Sequence, residues 1–172
     1  DFWATSAGVN LNNILNLENV DQLKVRAGYG VTGNEPVERY AYVQKLGAEE
    51  SLGYINSDFG TAIGPQSNPN PDLKWEEKSE LNVGVDFVVL DSKLSGSLDY
   101  FNRSTSDLLR NTPVSSPPNI YNSTLLNLGE LETKGYEVSL NYSAISKDDF
   151  SWSVGLNLST NETTLINLSD ID

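Results

Sequence analysis

The sequence predicts an all-β fold: an antiparallel, up-and-down sheet of the transmembrane β-barrel type, with about six strands along its 172 residues. Three observations predict it. First, apolar residues recur at every second position over runs of roughly 11 to 13 residues, against about 5 to 6 in soluble sheets and about 9 to 11 for a tilted strand crossing a bilayer. Second, the connections alternate in kind. Short turns at 91–92 and 147–149 mark one end, and long segments at 32–77 and 105–126 mark the other. That asymmetry belongs to barrels in outer membranes. Third, aromatic residues cluster where two membrane interfaces would fall. Phe150, Trp152 and Tyr142 sit near a short turn, and Tyr100 and Tyr136 sit toward the long-loop end.

The expected strands lie near 2–11, 23–31, 78–90, 93–104, 127–145 and 150–162. The first, "FWATSAGVNL", alternates weakly. "NNILNLENVDQ" (12–22) reads as a short helical turn or an irregular connection. In "LKVRAGYGV" (23–31), Leu23, Val25, Ala27, Tyr29 and Val31 share one face, and Lys24, Arg26, Gly28 and Gly30 share the other. "TGNEP" (32–36) breaks the strand. The segment 32–77 is too long for a passive connection, so it is expected to be functional, partly disordered, or both.

"ELNVGVDFVVLDSKLSGSLDY" (80–100) reads as a hairpin around a two-residue loop, Asp91-Ser92. That register sets Val89 against Leu94, Val85 against Leu98 and Val83 against Tyr100. Phe87 falls opposite Gly96, where a ring can cover bare backbone. A slip of one residue would mix the two faces. The Pro- and Asn-rich segment 105–126 reads as an irregular loop. "KGYEVSLNYSA" and "FSWSVGLNLST" then carry their apolar residues at even positions, and three residues, Lys147 to Asp149, form the turn between them.

Composition excludes several classes. The net charge is -13, from 11 Lys+Arg against 24 Asp+Glu, so a nucleic-acid partner is not expected. The acidity serves solubility of exposed loops, or alternatively binds divalent cations or cationic ligands. With no Cys and no His, thiolate sites, zinc sites and Ser–His triads fall away. Glu76, Glu77 and Glu80 read as a solvated rim, and Asp148-Asp149 as a turn. "GYGVTG" (28–33) lacks the following helix that a phosphate loop requires. Asn-x-Ser/Thr triplets at Asn102, Asn122 and Asn161 are expected by chance. The expectation is therefore no enzyme, no catalytic residue, no cofactor and no metal. No stretch is apolar over the ~18 residues of a membrane-crossing helix. The chain begins as if inside a strand, so a piece of a longer polypeptide is expected. A soluble sandwich that binds carbohydrate, or a surface adhesin, shares the alternation and stays open on pattern alone.

Three blocks carry a family resemblance. "LKVRAGYGVTGNE" (23–35), "NPDLKWEEKSELNVGVDFVVLDSKLSGSLDYFNRSTSDLL" (70–109) and "NLGELETKGYEVSLNY" (127–142) resemble, in order and spacing, the C-terminal barrel of the SusC/RagA-like TonB-dependent transporters of Bacteroidetes. The resemblance implies a section of about six strands from a 22-stranded barrel in the cell outer membrane, with 1–172 as a partial barrel domain. It implies external loops after "GVTGN" and after "SDLL". It also implies a SusD-like surface lipoprotein partner, TonB acting through an N-terminal region outside these residues, and pairs that can associate further. The ligand would be an oligosaccharide or a peptide. No plug domain or TonB box is read within the sequence.

On this reading Val83, Val85, Phe87, Leu98, Tyr100, Val138, Leu140, Trp152, Val154 and Leu156 face outer-membrane lipid. Asn82, Asp86, Asp99, Phe101, Glu137 and Asn141 face the lumen. Tyr54, Trp75 and Tyr121, in the loops or at their rims, are the candidate ligand contacts, because a ring offers a flat apolar face to a sugar or peptide. The alternative is that these rings pin the loops or mark the membrane interface.

Overall fold

The computed structural model describes residues 2–15, 19–36, 38–48 and 63–168. Its elements are β1 (Trp3–Asn10), α1 (Asn12–Leu15), β2 (Val20–Asn34), β3 (Leu46–Ala48), β4 (Ile63–Pro65), β5 (Glu76–Val89), β6 (Leu94–Ser106), β7 (Leu109–Pro113), β8 (Ser123–Asn127), β9 (Glu130–Lys147) and β10 (Phe150–Asn167). They fall into two units. One comprises Asp1–Thr32, Lys78–Thr105 and Leu131–Ile166; the other comprises Gly33–Glu77, Ser106–Glu130 and Asn167–Asp172.

The first unit is a six-stranded sheet in the order β1-β2-β5-β6-β9-β10. Each long strand lies beside the next in sequence, the up-and-down order expected. Its registers set the faces. Trp3 pairs with Val31, Thr5 with Tyr29 and Val9 with Val25 between β1 and β2. Leu94 pairs with Tyr142, Leu98 with Val138 and Tyr100 with Tyr136 between β6 and β9. A Cβ on Gly96 would stand 2.9 Å from the tip of the Phe87 ring, as the expected hairpin register requires. A Cβ on Gly155 would stand 3.1 Å from Asn141 Oδ1, so even-numbered residues of β10 share the face of Leu140.

One face therefore carries Val83, Val85, Phe87, Leu98, Tyr100, Val138, Leu140, Trp152, Val154 and Leu156 together. Among the described residues no apolar side chain is buried. Leu98 is 49% exposed and Trp152 54%. A soluble sandwich would bury this face under a second layer.

Several boundaries differ from expectation. β2 begins at Val20, and Asn12–Leu15 form a short helix before it. The tight turn spans Leu90 to Lys93, because Leu90 joins Asp91 and Ser92 in the left-handed region with φ of 61°, 54° and 61°. Three contacts hold it: Lys93 N–H donates to Leu90 O at 3.1 Å, Ser92 N–H to Asp21 Oδ2 at 2.7 Å, and Leu90 N–H to Asn19 O at 3.4 Å. The turn before β10 is Asp148-Asp149 alone, with Lys147 still in β9. β10 runs on through "TNETTLIN", whose polar residues hide the period.

The second unit replaces the expected irregular loops with two small antiparallel ribbons. Leu46 pairs with Pro65 between β3 and β4, and Leu109 pairs with Asn127 between β7 and β8. Asn127, expected at the start of the next long strand, thus belongs to a ribbon, and that strand begins at Glu130. The break falls at Gly129, whose φ of 103° only glycine adopts freely.

Candidate functional site

The polar face of the sheet is organised around Arg26 on β2. Its Nε lies 3.1 Å from Asp86 Oδ2 on β5, and Nη1 donates to Asn82 Oδ1 at 3.4 Å. Its Nη2 reaches across β5 to Asp99 Oδ1 on β6 at 2.6 Å. Asp99 is almost buried, and its register partner is Glu137. Arg26 can span β5 because residue 84 is glycine. A Cβ there would lie 2.3 Å from Asp99 Oδ1 and 2.8 Å from Arg26 Cζ. Nearer the other end, Arg103 Nη2 pairs with Glu80 Oε2 at 2.8 Å, and its guanidinium sits 5.8 Å from the centre of the Phe101 ring. Phe101 in turn covers Gly135. These contacts pair Arg26 with Asp86 and Asp99, and Arg103 with Glu80, across neighbouring strands of the polar face.

The loop unit is built differently, by asparagine side chains bonded to backbone. Asn68 is buried and uses both ends of its amide. Nδ2 donates to Tyr121 O at 2.7 Å and Ser123 O at 3.0 Å, and Oδ1 accepts from Ile120 N–H at 3.1 Å and Tyr121 N–H at 3.0 Å. Asn70 Nδ2 donates to Leu125 O at 2.9 Å. Asn127 closes the other side: Oδ1 accepts from Lys74 N–H at 2.8 Å, and Nδ2 donates to Lys74 O and Asp107 O, each at 2.9 Å. The segment 68–74 is thereby fixed against the β7–β8 ribbon.

Among the described residues, two concavities open in this unit. The first, about 550 Å³, is lined in part by Asn34, Glu35, Gln66, Asn68, Asn111 and Tyr121. Tyr121 is held there, its hydroxyl donating to Pro65 O at 2.6 Å. The second, about 680 Å³, is lined in part by Glu35, Arg39, Tyr40, Tyr42, Leu73 and Trp75. So two of the sequence-derived ligand candidates, Tyr121 and Trp75, line separate concavities, and Tyr54 lies outside the described residues. Among the described residues no group of three or more acidic side chains is placed to hold a metal ion.

Residues 1–170 match the family described as TonB dependent receptor-like, beta-barrel. The chain belongs to that family. Its relatives carry the name TonB-dependent receptor, and one of them is named SusC. The receptor segment is 35% identical over 156 residues to TonB-dependent receptor P3 of Formosa agariphila, covering 87% of this chain and 15% of that protein. It is 31% identical over 157 residues to TonB-dependent receptor SusC of Bacteroides thetaiotaomicron, covering 89% of this chain and 16% of that protein. The fold matches the RagAB peptide importer in its closed-closed state, with a TM-score of 0.84, 22% identity, and coverage of 97% of this chain and 18% of that one. The receptor segment thus spans less than a fifth of the length of the proteins it matches.

Sequence reasoning missed the residues that organise both parts of the receptor segment. Arg26 and Gly84 were on the expected polar strands, but their meeting depends on a register set across the long 32–77 connection. Asn68 and Asn70 carried a faint signal in "NPNPD", where asparagine beside proline marks chain that bonds through side chains instead of a ladder, whereas Asn127, between Leu126 and Leu128, carried none.

Proposed function

We propose that this segment is part of the wall and outer loops of a TonB-dependent transporter that imports nutrients across the cell outer membrane. The observation that carries the reading is the two-faced sheet. One side is a continuous apolar face without buried side chains, and the other carries the ion pairs Arg26–Asp86, Arg26–Asp99 and Arg103–Glu80. Lipid on the first side and a watery interior on the second satisfy both. The strands β1 and β10 each have one neighbour in the sheet, and further strands of the same wall would pair with their free edges.

In this reading the loop unit supplies part of an external binding surface, open to an oligosaccharide or a peptide. A SusD-like surface lipoprotein closes over it, and TonB acts through another part of the polypeptide. The family resemblance supports these partners, and the relatives' name, TonB-dependent receptor, supports the part given to TonB. The test is uptake by cells carrying the full-length receptor. Deleting tonB is expected to abolish receptor-dependent uptake of the nutrient while leaving surface binding intact. Uptake that persists without TonB defeats the proposal.

A further inference from the structure

We draw no further inference here: the strongest candidate, the side-chain cluster on the polar face of β6 and β9 where Asp99 stands opposite Glu137 and only Asp99 is paired with Arg26, is a pair of carboxylates beside which nothing in the structure points to a ligand.

Discussion

At Gly84 a hydrogen atom in place of a methyl group decides whether Arg26 can cross its neighbouring strand. Gly84→Ala would put carbon 2.3 Å from Asp99 Oδ1, so the pair must separate or the strand must shift. Overpacking of this kind costs about 1–3 kcal/mol, and it should appear as a lower denaturation midpoint of the folded full-length receptor. Removing the cation tests the same cluster from the other side. Arg26→Met leaves Asp99, only 12% exposed, without the cation it pairs with, at a cost of about 1–3 kcal/mol. Adding Asp99→Asn to Arg26→Met should recover part of that loss. Strictly additive costs would show that the two groups do not interact. The sequence made half of this visible. Alternation puts Arg26, Gly84 and Asp99 on the polar side. Which of them meet depends on a pairing closed across the 32–77 segment, and no local pattern encodes that distance.

The elements divide by the physics that builds them. Long strands announce themselves, because a period of two over a dozen residues has few competing explanations, and the β5–β6 hairpin was readable down to Phe87 covering Gly96. The short ribbons did not, because strands of three to five residues are too brief to show a period. Their order comes from side-chain amides, which bond to backbone in no fixed spacing. Asn68→Asp isolates this. The substitution keeps an oxygen for Ile120 N–H and Tyr121 N–H but turns the other end against the carbonyls of Tyr121 and Ser123. Hydrogen exchange should quicken across Ser123–Asn127 and 68–74 together, by the equivalent of roughly 2–4 kcal/mol of local stability. Exchange that changes in only one of the two segments would mean they are not joined through Asn68.

For the whole molecule the question is which solvent each face of the sheet meets, and neighbouring residues of β6 can answer it. Leu98 stands on the apolar face opposite Val138, and Ser97 stands on the polar face opposite Ser139. They share a strand, a depth and nearly the same backbone environment, so they differ chiefly in what lies outward of each. If lipid wets the apolar face, as proposed, Leu98→Arg carries a guanidinium into hydrocarbon and costs about 2–4 kcal/mol near the bilayer midplane. Ser97→Arg instead enters a watery lumen already lined by Asp86, Asp99 and Asn141, and it should cost under about 1 kcal/mol. Urea titrations of the full-length receptor refolded into liposomes measure both. The informative quantity is the difference between the two variants, because arginine's own strand propensity and the shared strand and depth cancel within the pair. A difference near zero would mean that both faces meet the same medium. A reversed difference would put protein, rather than lipid, against Leu98. The same logic predicts that in detergent, where the apolar belt can deform around an arginine, the gap narrows without changing sign.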